Sequence, residues 1–400
     1  MLNLDEFNQL IPASLLDELA IEYNVNAVNQ VKLTGQTMFI CLLNGIMNHP
    51  ILTQRILEDE YKKQIGETCD HSAFGKRLSK LDPLYFQAIL EYVHEKIGPE
   101  ISIGEAKSLK LRFIDSTTVT LSSKLLSFGI NVKYKGDHEY RHVKSVVELS
   151  DDGLPNLLHI CDKDSDLADS IAMGNAISKF NNKGDLWIFD RGMSHRGRMF
   201  EMHNAGSFFL TRYHCQLHVV TEIIMRAESE APPVNTPDIV GTDCAIHRVE
   251  SGYLMDESRP RIPGLESMQI TLIHCHRYDT KQKVWKPLVL MTNLPLSEYK
   301  TKLGPYSFEE ITELYRRRWD IEIFFKFLKQ RLGFKHLTNR SENGIRTMVI
   351  MSIISALLLV WYKHKTGIDR GWKSVIFWFA EDLREWTKLV VANMIVCQRE

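Results

Sequence analysis

Three carboxylates stand out by what surrounds them. Asp115 follows the apolar pair Phe113-Ile114 in the segment IDSTT, and Asp190 follows the apolar run 186–189 in WIFDRG. Acidic groups at strand ends of an α/β sheet project into the crevice where such folds place their chemistry. A turn-forming aspartate is the competing reading of either one alone. The third, Glu322, lies on a segment that reads as one long helix from about Phe308 to Leu332, with Tyr315, Arg318 and Lys329. These four stand at offsets 0, 3, 7 and 14. At about 100° per residue that confines them to roughly 60° of arc, a single stripe. Intrahelical ion pairing would also explain a carboxylate between Arg and Lys. However, Trp319, Ile321, Ile323, Phe324, Phe325, Phe327 and Leu328 take up most of the remaining circumference, so the stripe is expected to face a lined cleft. Carboxylate oxygens are the ligands that hard divalent ions prefer, and Arg or Lys beside them suits phosphate. The combination points to attack on a phosphodiester.

The local charge agrees. Residues 311–340 hold 8 Lys+Arg against 3 acids. Other groups offer less. In His274-Cys275-His276 the two imidazoles would share one face of a strand, but a structural zinc site needs four ligands and no partner pair is apparent. Trp285 could stack on an unpaired base, although a core tryptophan needs no such role.

Asp115, Asp190 and Glu322, with Tyr315, Arg318, Glu322 and Lys329 realising a Y-(2)-R-(3)-E-(6)-K pattern, resemble the DDE transposases of the insertion-sequence-four family. Asp190-Arg191-Gly192 resembles that family's DRG element, and Phe208–Arg212 (FFLTR) the strand that follows it. The likeness covers roughly residues 105–360. It implies a ribonuclease H-like α/β catalytic core in which Asp115 bridges two Mg²⁺ ions, replaceable by Mn²⁺, while Asp190 and Glu322 each hold one. Two such ions about 3.5–4 Å apart activate the nucleophile, stabilise the leaving oxygen and neutralise phosphate charge. The resemblance further implies hydrolysis at an element end and attack by the freed 3′-hydroxyl on another phosphodiester. Tyr315, Arg318 and Lys329 would hold terminal DNA phosphates, with Arg191 and Arg212 as further DNA contacts. The expected partners are double-stranded DNA, both element ends and target, and a second copy of the chain in the DNA complex.

Two rival readings remain at this stage. His195 and Arg198 form an H-x-x-R, as a tyrosine recombinase requires, but Tyr213 and Tyr253 sit in strand-like contexts and the acids go unexplained. A DNA-binding relative that has lost cutting would not need all three acids.

The elements that must position these groups can be sketched. The chain has 400 residues, of which 44% are hydrophobic and 25% charged, which excludes wholesale disorder. Its net charge is −1, yet residues 1–100 hold 8 Lys+Arg against 14 Asp+Glu, leaving a modestly basic body behind an acidic front. Seven scattered cysteines with no CxxC pair fit a reducing, cytoplasmic setting, nucleoid-associated when DNA is bound. Asp5 and Glu6 stand where a signal peptide would be basic. The uncharged run 347–361 is shorter than the roughly 20 residues of a membrane span, which predicts a buried core helix and no membrane partner.

Helical periodicity dominates 1–104, expected to be an all-helical N-terminal domain and a candidate for DNA-end binding. Within it, Asp70 and Asp82 should cap two short helices resembling a helix-turn-helix, with Lys76, Arg77 and Lys80 on the first and a stop at Gly98-Pro99. Alternating strands and helices over 105–212 predict the first part of the catalytic core, and strand-like runs over 213–304 a β-rich insertion. The core should resume over 305–400, its long helix opened by a Ser307/Glu310 capping box and closed at Gly333.

Overall fold

The computed structural model describes residues 4–26, 32–101, 109–121, 129–133, 139–161, 163–164, 168–180, 182–214, 217, 219–233, 244–255, 261–296, 306–334 and 337–397. The expected boundaries at 104/105 and 304/305 lie outside the described residues.

Before the first strand come α1 (Leu4–Leu10), α2 (Ala13–Glu22), α3 (Gly35–Asn48), α4 (Gln54–Ile65), α5 (His71–Lys80) and α6 (Pro83–Ile101). Their starts are written locally. Asp70 accepts from the Ser72 N–H and Asp82 from that of Leu84, the two caps expected for α5 and α6. α6 runs through Pro99 instead of stopping at Gly98. So near the helix end, the proline's missing N–H forgoes a bond from the final turn alone. Of the three cations expected on α5, Lys76 and Lys80 are exposed and Arg77 is not. Arg77 is 7% exposed, and its Nε and Nη2 donate to the Leu33 and Val25 carbonyls at 2.7 and 2.5 Å. It ties loops together and is not available to a phosphate.

The strands are β1 (Lys110–Leu121), β2 (Ile130–Lys133), β3 (Glu139–Ser150), β4 (Pro155–Cys161), β5 (Asp185–Ile188), β6 (Phe208–Arg212), β7 (Val219–Arg226), β8 (Cys244–Leu254), β9 (Gln269–Asp279) and β10 (Val284–Thr292). They form one sheet in the order β2-β3-β1-β5-β6-β10-β9-β8-β7, with β4 also on β3. β1, β3 and β4 pair antiparallel, whereas β1, β5 and β6 run parallel. Because β10 pairs with β6, the β-rich segment continues the same sheet.

Helices cover both faces. On one, Ile114 and Val146 pack with Met173 of α7 (Asp169–Phe180) and Met199 of α8 (Arg196–Asn204). On the other, Phe113 and Val147 share a core with the N-terminal helices and with α9 (Phe308–Arg316), α10 (Trp319–Arg331), α11 (Glu342–Thr366) and α12 (Trp372–Cys397). Phe7 of α1 packs its ring 5.9 Å from Trp361 and 4.8 Å from Trp386, so the N-terminal helices are built onto the C-terminal ones. α11 has 25 residues, long and apolar enough to cross a membrane, but 89% of its most apolar window is buried inside the molecule. It is the central core helix, and burial identifies it where length alone would not.

Covering both faces changes β1. Arg112, which alternation places on a half-solvated face, is 6% exposed. Its guanidinium is ion-paired at 2.8 Å with Glu148 of β3 and at 2.8 Å with Asp185 of β5, and lies 4.9 Å from the Trp187 ring centre. One side chain thus joins the three central strands. Arg112→Ala leaves two buried carboxylates without their cation and is expected to cost about 3–5 kcal/mol. Urea denaturation measures this; a loss below about 1 kcal/mol would show that the tie is dispensable.

Candidate active site

The strand register places the first two acids. Phe113 of β1 pairs with Ile188 of β5, and Ile188 with Leu210 of β6. Asp115, Asp190 and Arg212 each stand two residues beyond that row. Neighbouring strands are about 4.8 Å apart, so the three emerge side by side at one end of the sheet. Asp115 does not end its strand, as the sequence suggested. β1 continues to Leu121 against β3, and it is the β5 side that falls away, into a short 3-10 turn at Arg191–Met193 that follows Asp190 directly.

The expected single long helix is two. Its start is as anticipated: Ser307 and Glu310 form a reciprocal capping box, and Gly333 takes φ 63° just past the end. Between α9 and α10, however, the N–H groups of Arg318 and Asp320 donate three residues back, to Tyr315 and Arg317. Steps of that kind turn about 120° instead of 100°, so the two halves of the stripe address different acids. Tyr315, 3% exposed, donates its hydroxyl to Asp190 Oδ1 at 3.5 Å. Burial pushes its phenol pKa up. Arg318, 7% exposed, is paired through Nη2 with Glu322 Oε1 at 2.7 Å. Lys329 lines an open groove of about 410 Å³ with Glu322, Lys326 and the Ser116–Thr118 stretch of β1.

Electrostatics link the pieces. Burial pushes the Asp115 carboxyl up to about 6; the Ser116 N–H and the Arg318 charge oppose this, and Glu322 and Asp169 add to it. Arg318 also feels Asp190. One guanidinium therefore serves the whole acidic group. Each carboxylate is presently engaged: Asp115 Oδ1 with the Ser116 N–H at 2.8 Å, Asp190 with Tyr315, Glu322 with Arg318. In this arrangement no three His, Cys, Asp or Glu groups among the described residues are set to hold one metal ion.

Other expectations are altered. Trp319 and Ile323 are 48% and 62% exposed, so the back of α10 is not wholly covered. Arg316 and Arg317, part of the local positive excess, are paired with Glu313 and Asp151. Arg191 and Arg212 are exposed near the acids. Cys275 is buried, and His247 of β8 stacks 4.8 Å from His276, but His274 lies between Arg248 and Glu250. Trp285 meets Tyr278 edge-on at 5.3 Å across the β9–β10 ladder. The H-x-x-R pair is dispersed into other roles: His195 precedes α8, Arg198 pairs with Glu201, and the Tyr213 hydroxyl donates to the Leu217 carbonyl. Sequence reasoning missed Asp169, which nothing in its local pattern distinguishes from a helix-start acid. Replacing Arg318 with Met removes the cation that restrains Asp115. Its carboxyl titration, followed by NMR, should then move above about 6; an unmoved titration would show that Arg318 does not act on it.

Comparison with known proteins accords with this geometry. The family described as Transposase DDE domain matches residues 107–358, a span that contains all three acids. A Synechocystis sp. protein whose name gives it as a transposase for insertion sequence element IS4SA is 25% identical over 296 residues, 74% of this chain and 72% of its own length. A Sinorhizobium fredii protein named as transposase y4zB is 24% identical over 253 residues, covering 62% and 60%. Among solved structures, a piggyBac transposase synaptic complex with hairpin DNA aligns at a TM-score of 0.46 and 9% identity, over 97% of this chain and 80% of that one. The chain belongs to the DDE transposase family, and it is a transposase.

Proposed function

We propose that this transposase cuts the ends of an insertion element of the insertion-sequence-four type and joins them to target DNA by divalent-metal-dependent hydrolysis and transesterification. Asp115, Asp190 and Glu322 are the ion-holding carboxylates in this reading. The observation that carries it is the register that puts Asp115 and Asp190 two residues beyond the Phe113–Ile188 pair, with Arg318, the partner of Glu322, acting electrostatically on both. The antiparallel β1, β3 and β4, continued in parallel by β5 and β6 with helices on both faces, support a ribonuclease H-like core. The strands β7–β10 would be its insertion, and residues 1–104 its helical N-terminal domain, a candidate for contact with DNA ends.

The donor set fits Mg²⁺, with Mn²⁺ as substitute, because all three ligands are hard carboxylate oxygens. When bound, such ions supply Lewis-acid activation of the attacking oxygen and neutralise phosphate charge. The remaining work falls to the chain. Glu322 turns from Arg318 toward the other acids, which frees a buried guanidinium for a phosphate. Tyr315 holds Asp190 in place, Lys329 presents its ammonium along the groove, and Arg191 and Arg212 approach the backbone from the strand ends. The substrates are double-stranded element ends and target in the cytoplasm, and pairing two ends calls for a second copy of the chain.

The test uses the purified chain and a duplex carrying its element's terminal inverted repeat. Wild type should nick with Mg²⁺ and not in EDTA. Asp190→Asn should bind the duplex with unchanged affinity and give no cleavage. Undiminished cleavage by Asp190→Asn, or cutting in EDTA, would overturn the metal-carboxylate reading. Mg²⁺ at 100 times its Kd should also stabilise the wild type by about 2.7 kcal/mol, seen as a higher Tm, and Asp115→Asn should lose that increment.

A further inference from the structure

We propose that Asp169 is a positioning residue: through Ser116 it sets the direction of the Asp115 carboxylate, and so the strength with which the site takes a divalent ion. The inference rests on the active-site reading above and adds to it a group outside the three acids.

The contacts form a chain of three links. The Ser116 N–H donates to Asp115 Oδ1 at 2.8 Å. The Ser116 hydroxyl donates to Asp169 Oδ1 at 2.8 Å. Lys144 Nζ reaches that same oxygen at 2.9 Å. The Lys144 side chain is 5% exposed and stands opposite Thr118 in the β1–β3 register. A buried ammonium is costly without a carboxylate partner, so Lys144 fixes where Asp169 must sit. Asp169 is the first residue of α7, and its other oxygen, Oδ2, faces the turn after Asp190: a Cβ added at Gly192 would lie 4.0 Å from it. One carboxylate thus meets β1, β3 and the Asp190 turn together. Without it, the Ser116 hydroxyl loses its fixed acceptor, and the backbone that aims Asp115 is held by strand pairing on the β3 side alone. Groups that orient a metal ligand in this way are commonly worth about 10–100-fold in ion affinity.

The experiment measures Mn²⁺ binding to the full chain without DNA, by the loss of the free-ion electron paramagnetic resonance signal, alongside Mg²⁺-dependent cleavage of the end duplex. Ser116→Ala and Asp169→Ala should each raise the half-saturating Mn²⁺ concentration about 10–100-fold. Asp169→Asn keeps an acceptor for the serine hydroxyl and should recover most of the loss. The double Ser116→Ala/Asp169→Ala variant should be no worse than Asp169→Ala alone, because the bond from Ser116 is already gone there. Ser116→Ala deletes one partly exposed oxygen and keeps the test valid should Asp169→Ala fail to fold. Wild-type Mn²⁺ binding by Ser116→Ala, additive losses in the double variant, or no recovery by Asp169→Asn would each overturn the proposal. Asp115→Asn separates the two readings. Wild-type binding and cleavage by that variant would defeat the active-site reading itself; loss in Asp115→Asn with wild-type behaviour in Ser116→Ala would defeat the positioning role alone.

Discussion

Arg112 is the constraint on which the rest of the molecule depends. Its buried guanidinium joins Glu148, Asp185 and Trp187, one partner on β3 and two on β5, and so fixes β1 against both neighbours. A slip of one residue would turn every side chain of β1 to the opposite face and bring this cation into an apolar layer. The register is therefore specified twice, by hydrophobic alternation and by a charge that has a single satisfactory place. From that register follows the row in which Asp115, Asp190 and Arg212 leave the sheet together.

Gathering carboxylates has an electrostatic cost, and the molecule meets it with a second buried arginine. Arg318 sits at the tight step between α9 and α10, pairs with Glu322, and acts on Asp115 and Asp190. Burial holds Asp115 well above an ordinary aspartate, and the neighbouring Glu322 and Asp169 add to it, despite that help. In this structure Arg318 occupies Glu322. The step in the helix matters here. Tyr315, before the step, reaches Asp190, whereas Arg318 makes an i,i+4 pair with Glu322 within the helix that follows.

Much of this was legible before any coordinates. Caps are local chemistry, so Asp70, Asp82, Ser307 and Gly333 mark the helix limits they were expected to mark. Most strands fell where apolar alternation placed them, and the three acids with Tyr315, Arg318 and Lys329 were nameable from type and spacing. What escaped was whatever depends on partners far along the chain. Arg77 and Arg112 look like solvated cations in sequence and are buried ties in the fold, because the carbonyls of Val25 and Leu33, and the carboxylates of Glu148 and Asp185, reach them only after packing. Trp319 and Ile323 look like core and are exposed, since no element covers that side of α10 among the described residues.

The sequence by itself determined which groups are candidates for the chemistry and where helices start, because residue type and nearest-neighbour hydrogen bonding suffice for both. Tertiary structure alone decided that Asp169 and Lys144 stand against Ser116 and that β7–β10 extend the central sheet. Those outcomes follow from which surfaces remain to be covered once the chain is compact, and from the need of every buried charge for a partner, conditions set by the whole fold and invisible in any short stretch of it.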